Sequence, residues 1–289
     1  MSQPSQPSQP EPLAWNETLL RDPHHVRDKR QRVQRMFAAI APSYDINNRL
    51  HSLWMDQRWR RKAVKLARLN PTDVVVDVAC GTGDLTIAMH ASKLGMAWGT
   101  RSPAATLGID FTFQMLPLAR IKTTAALHRS DEGPRRGCPR EALWRRADAC
   151  PDAVRYVNGD AQALPFPDAS ADVVSIAFGI RNVQDPAAAI REFRRILRPG
   201  GRLIILEFSL PTNPVLRGMY NFYFRQVLPR TATLISGDKT GAYKYLPESV
   251  NTFIGREQMM GMMRDAGFAD VEQHPMTFGV CVCYRGRVP

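Results

Sequence analysis

At 289 residues, 44% of them hydrophobic and 23% charged, the chain can build one large domain or two small ones around a sizeable core. No run approaches the roughly 18 apolar residues that a membrane span needs, and five cysteines, an odd number, suit reduced thiols better than a disulfide framework. The formal net charge of +12 draws a protein towards polyanions, either nucleic acid or an anionic membrane surface, and does not choose between them.

Residues 1–25 open on a Ser-Gln-Pro repeat and read as a disordered tail. They lack the basic flank and apolar stretch of a signal peptide, which leaves the cytoplasm as the expected location. Residues 26–289 read as a single domain. Helices are expected at 30–40 and 59–69, the second stopped by Asn70-Pro71. The β-branched run 74–78 predicts a buried parallel strand, followed by a glycine turn and a helix at 85–90. Further strands are expected at 106–110, 154–159, 173–178 and 202–208, with a helix at 186–197 ending at Arg198-Pro199-Gly200-Gly201. Strand alternating with helix implies a doubly wound parallel sheet. After a helix at 257–266, strands at 271–274 and 279–284 are separated by too few residues for a crossover, so they should pair antiparallel. The expected fold class is therefore α/β: a Rossmann-like class I methyltransferase fold, seven strands, mostly parallel, with an antiparallel C-terminal hairpin. A dinucleotide-binding domain would instead keep its strands parallel. Segments 91–105 and 123–151 lack periodicity and read as inserted loops. Cys281 and Cys283 alternate along a strand and should face the same side; with no second Cys/His pair at ligand spacing, no metal site is expected.

The chemistry sits at the strand ends. Gly81 and Gly83 let backbone N–H groups approach a ligand at the carboxyl end of the first strand. Asp110 ends the second strand, where a carboxylate can accept both hydroxyls of a ribose. Asp160 and Ala161 follow the third, where a side-chain acceptor and a backbone N–H can read an adenine edge. Asp77 and Asp84 flank the glycine turn and put negative charge near a sulfonium; a pyrophosphate would find that charge unfavourable, which argues against NAD.

Together these motifs resemble the ubiquinone/menaquinone-biosynthesis C-methyltransferases. The resemblance spans residues 36–286 and includes Asp77-Val78-Ala79-Cys80-Gly81-Thr82-Gly83-Asp84. Its most specific parts are Phe178-Gly179-Ile180-Arg181-Asn182-Val183 and Tyr243-Lys244-Tyr245-Leu246, continued by Glu248-Ser249. It implies S-adenosylmethionine as cofactor, held by Thr82, Asp110, Asp160 and Ala161, and a polyprenyl quinol as substrate. That substrate is demethylmenaquinol in one branch and the methoxy-benzoquinol of ubiquinone synthesis in the other. Methylation of a ring carbon needs alignment and a proton acceptor but no metal. Arg181 would stabilise the quinolate or order a relay water, beside Asn182, while Tyr243, Tyr245 and Tyr44 would contact the ring hydroxyls. Two departures stand out: Ala177 replaces a serine, and Lys244 an arginine. The aromatic segment 208–254 is expected to form a lid over the prenyl tail, and the basic surface to meet an anionic membrane as a peripheral protein; a homodimer is also allowed. A nucleic-acid methyltransferase would share the charge, but its Asn-Pro-Pro-Tyr-type loop is missing after the fourth strand, so no nucleic-acid partner is expected.

Overall fold

The computed structural model describes residues 14–96, 104–131, 154–238 and 240–289. Seven strands form one sheet in the order β3-β2-β1-β4-β5-β7-β6. They are β1 (Val75–Val78), β2 (Thr106–Asp110), β3 (Val154–Asn158), β4 (Ala171–Ala177), β5 (Leu197–Phe208), β6 (Ala269–Met276) and β7 (Cys281–Arg287). The first five pair in parallel, and β7 lies antiparallel between β5 and β6. The expected architecture and terminal hairpin are both present.

All four residues of β1 are buried, as a central strand covered on both faces requires. One face of the sheet is covered by α7 (Pro186–Ile196) and α11 (Arg256–Asp265), through Ile190, Phe193, Met259 and Met263. In α7 the Asp185 side chain accepts the Ala188 N–H at 2.9 Å and Pro186 fills the first turn, so both start signals are local. Ala189, Ile190, Phe193 and Ile196 then line its buried stripe; truncating Phe193 to Ala would cost about 3–5 kcal/mol. The other face is covered by α4 (Met55–Ala67) and α5 (Asp84–Met96), where Trp59, Ala63, Leu85 and Met89 meet Cys281 and Cys283. Both thiols are fully buried on that one side, as their alternation predicted.

A third cluster holds a helical cap. It joins α1 (Glu17–Leu20), α2 (Lys29–Ile40), α3 (Tyr44–His51), α8 (Pro214–Phe222), a π turn (Tyr223–Val227), α9 (Leu228–Ser236) and α10 (Ala242–Asn251). Here two expectations need correcting. Residues 14–25 are ordered, because Trp15 is buried and stacks on Tyr245 at 4.4 Å, and Asn16 caps α1; residues 1–13 lie outside the described part. The insertions are also shorter than expected. Helix α5 runs on to Met96 and α6 (Met115–Asp131) covers the start of the second stretch, leaving 97–103 and 132–153 outside the described residues.

Candidate active site

Strand β1 sends the chain through α5 to β2 on one side, while β4 lies on its other side. The crevice beyond the carboxyl ends of β1 and β4 is the switch point where such sheets bind ligands. It contains a cleft of about 800 Å³ lined by Gly81, Asp110, Asp160, Ala161, Phe178 and Asn182, among others. Two non-glycine residues at this rim have left-handed backbones, Ala79 (φ 50°) after β1 and Phe178 (φ 58°) after β4. Each costs on the order of 1–3 kcal/mol, tolerated where the surroundings force it. The forcing is visible: the Cys80 N–H donates to Ile109 O at 3.0 Å and the Phe178 N–H to Leu206 O at 2.7 Å. Gly179 lies so close that a Cβ there would sit 2.5 Å from the Ala79 Cβ.

Asp110 is 8% exposed at the cleft wall. Its carboxylate accepts the Gly81 N–H on Oδ2 and the Thr112 N–H on Oδ1, both at 2.7 Å. Burial nevertheless pushes its carboxyl up to about 6, because two neutral donors do not replace the lost water. Each oxygen keeps accepting capacity for a further donor such as a ribose hydroxyl. Asp160 accepts the Gln162 N–H on Oδ1 at 3.0 Å and pairs through Oδ2 with Arg30 at 3.0 Å. Arg30 lies over the Phe111 ring at 4.4 Å, so a cation and a ring from different elements close this end. Arg30, Phe111 and Met115 line the cleft without any local sequence signal.

Four residues expected beside the cofactor make other contacts in the structure. Asp77 is 1% exposed and is not among the residues lining this cleft; its oxygens accept the Thr86 and Ser175 hydroxyls, each at 2.6 Å. Burial pushes it up to about 6, and it ties β1 to α5 and β4 rather than facing a ligand. Thr82 donates its hydroxyl to Asp45 Oδ1 at 2.7 Å and accepts from Lys122 Nζ at 3.2 Å, turned away from the cleft. Gly83 makes room for the Tyr156 hydroxyl, which a Cβ would meet at 2.5 Å. Asp84 brings no free negative charge, being paired with Lys122 and with Arg49 at 3.3 Å and lying 3.8 Å from Arg60.

A second cavity of about 670 Å³ shares Phe37, Tyr44 and Phe178 with the first. Met36, Ile40, Phe208 and Leu246 give it apolar walls, and Arg60, Arg181, Tyr243 and Tyr245 are among its polar groups, with Asn48, Ser52 and Asp56. Arg181 is not a free cation. It is 4% exposed and donates through Nη1 to Glu207 Oε1 at 2.6 Å and Phe178 O at 2.8 Å, and through Nε to Ser249 Oγ at 3.4 Å. Its backbone N–H donates to the other Glu207 oxygen at 3.3 Å. Asn182 lines the first cavity and accepts the Tyr245 hydroxyl at 3.0 Å, so Tyr245 is committed. The buried Tyr243 hydroxyl has no hydrogen-bond partner, and neither has Arg60 Nε, whose nearest carboxylates are 3.8 and 3.9 Å away. Both residues line this cavity, the Tyr243 hydroxyl itself lying towards Ser43 and Ser236. Arg60 was missed in the sequence, where it is one of several basic residues on an ordinary helix.

The family model described as the ubiE/COQ5 methyltransferase family matches residues 25–130 and 140–287. This chain belongs to that family. A demethylmenaquinone methyltransferase from Thermus thermophilus is 41% identical over 88% of this chain and 100% of its own length. A Deinococcus radiodurans protein of the same name is 40% identical over 90% and 94%. A ubiquinone/menaquinone biosynthesis C-methyltransferase from Citrifermentans bemidjiense is 40% identical over 90% and 98%. Among solved structures, a SAM-dependent methyltransferase from Thermotoga maritima, a possible histamine N-methyltransferase, superposes with a TM-score of 0.54 at 20% identity. It covers 89% of this chain and all of that one, a likeness of fold alone. The chain is a methyltransferase, and S-adenosylmethionine is its methyl donor. The residues present fit that donor: Asp110 is a buried acceptor short of donors, and the one lining cation, Arg30, is already paired with Asp160. Among the described residues, a phosphate-bearing cofactor would face two carboxylates and no free cation.

Proposed function

We propose that this methyltransferase adds a methyl group to a ring carbon of a polyprenyl quinol, converting demethylmenaquinol to menaquinol at the cytoplasmic face of the membrane. The observation that carries the reading is the shared wall of the two cavities: Phe37, Tyr44 and Phe178 stand between an acid-lined cleft and a chamber that mixes apolar walls with Arg60, Arg181 and Tyr243. The printed names of the Thermus and Deinococcus relatives support the naphthoquinol; the broader name of the Citrifermentans relative keeps the benzoquinol as the second reading.

When bound, the cofactor supplies an electrophilic methyl group. Asp110 holds the ribose hydroxyls, Asp160 and the Ala161 N–H read the adenine, and Gly81 lets the backbone approach. Arg60 Nε takes a ring oxygen, gaining the partner it lacks, and Tyr243 walls the same chamber beside it. Arg181 acts from the chamber wall as half of a neutral pair with Glu207, offering a donor rather than a full charge, and Asn182 is fixed between the cavities by Tyr245. The cap, including residues 208–254, serves as the lid that keeps water from the developing quinolate. The protein works peripherally on the membrane. Incubating the protein with S-adenosylmethionine and each chemically reduced short-chain quinol, with mass spectrometry of the product, tests the reading. Methylation of neither quinol would overturn it.

A further inference from the structure

From Pro214 to Ser236 the chain runs helically through α8, the π turn and α9, and it is apolar on two faces. Tyr220, Phe224, Leu228 and Ala232, four residues apart, are buried in the cap. A second set looks outward: Met219 and Phe222 are each 65% exposed and Leu234 is 86% exposed. A helix apolar all round is normally buried on every side, so the outer set lacks its environment. Helix α3 lies against α9 and is tied to the π turn by the Tyr223 hydroxyl, which donates to His51 O at 3.3 Å. It adds Ile46, 63% exposed, and the turn after it adds Leu53 and Trp54 at 76% and 58%. Both turn residues have left-handed backbones (φ 50° and 59°), a strained conformation spent on pointing large apolar groups at solvent.

Charge narrows the occupant. Residues 209–237 contain no Asp or Glu but three arginines, Arg217, Arg225 and Arg230, all exposed. A protein partner or a second copy needs a rim of mixed sign for register. Arg225 is paired with Glu248 at 2.8 Å, so the edge carries an excess of cations, and an apolar face with such an edge suits the headgroup boundary of an anionic bilayer. The inner side of α3 is the other half of the argument. Tyr44, Asn48 and Ser52 line the second cavity, while Ile46 points out, so one helix separates chamber from surface.

We propose that α3 with its following turn, α8 and α9 form the face that seats on an anionic bilayer, setting the mouth of the second cavity at lipid level. This rests on the reading that the substrate is membrane-borne. It is tested with vesicles of phosphatidylcholine with and without phosphatidylglycerol. Co-sedimentation of the full chain should rise at least fivefold with the anionic lipid and fall as salt increases. Phe222→Ser with Leu234→Ser should weaken binding at least tenfold, leaving the melting temperature unchanged, because both side chains face solvent. As a check independent of that variant's folding, the wild-type protein should show a blue-shifted tryptophan emission on vesicles that Trp54→Phe abolishes. Wild-type-like vesicle binding by the double variant, or no emission change on vesicles, overturns the proposal. So does a dimer in light scattering that the double variant converts to monomer, which would make the face a contact between copies. Absence of short-chain quinol methylation by the wild type would instead count against the substrate reading while leaving vesicle binding to be read directly.

Discussion

Arg181 and Glu207 form a buried pair whose removal should be read first in stability and only then in rate. The two side chains are 5% and 2% exposed, at 2.6 Å. Glu207 also accepts the backbone N–H of Phe208 at 2.8 Å and of Arg181. Arg181→Ala leaves a buried carboxylate facing two neutral donors, and removing one partner of such a pair costs about 3–5 kcal/mol. Each kcal/mol moves the melting temperature of a protein this size by about 2–4 °C, so the drop should be about 6–20 °C. Glu207→Gln should cost a similar amount, stranding the guanidinium. Arg181→Met combined with Glu207→Gln removes both charges and should cost far less than the sum of the singles, because replacing a buried ion pair by neutral groups is often nearly neutral. The assay is thermal melting of all three variants, alongside single-turnover methyl transfer and calorimetric S-adenosylmethionine affinity. A stable Arg181→Ala protein whose turnover falls by about a hundredfold would refute the structural reading and make the guanidinium a direct stabiliser of the quinolate. If the double variant recovers its stability but not its turnover, Arg181 serves both ends.

Asp110→Ala should weaken S-adenosylmethionine binding by about 1.5–3 kcal/mol in calorimetry through lost charge-assisted hydrogen bonds; unchanged affinity would remove the ribose assignment. Because burial pushes Asp110 up to about 6, its proton-bound form accumulates below that pH, and affinity should fall as pH drops through about 6 and level off above it. Gly179→Ala should lose about 1–3 kcal/mol of stability and weaken cofactor binding, since the new Cβ would drive the β1 and β4 ends apart. A normal melting point would show that this contact yields easily. His90 is buried and its pKa is lowered from 6.5 to about 4, chiefly by desolvation. The folded state thus binds fewer protons than the unfolded chain in that window, so stability supplied by neutral His90 is lost as pH falls from 6.5 towards 4. The slope of melting temperature against pH over that range should be shallower in His90→Asn; equal slopes would refute it.

Patterns with a fixed local cause were legible in the sequence. The β-branched run of β1, the Asp185-Pro186 start of α7 and the short link between the last two strands each follow from propensity, capping or chain length. The glycine turn and the strand-end positions of Asp110, Asp160 and Ala161 were legible for the same reason, since the doubly wound topology puts every strand end at one edge. What a carboxylate does there depends on which donors from distant segments arrive first, and that only tertiary structure decides. Asp77 and Asp110 are both strand carboxylates raised to about 6, yet Ser175 and Thr86 turn one inward, while the other keeps a face on the cleft. Thr82 is likewise claimed by Asp45 from a helix 37 residues away. Arg181 looked like a free cation because the nearest acid in sequence, Asp185, caps α7; its partner Glu207 comes from the neighbouring strand, 26 residues on. The ordered stretch 14–25 escaped notice because Trp15 has no periodic companions, and its partner Tyr245 belongs to the cap. Local physics wrote the elements and the strand-end positions, whereas long-range pairing chose which of those side chains would face a ligand.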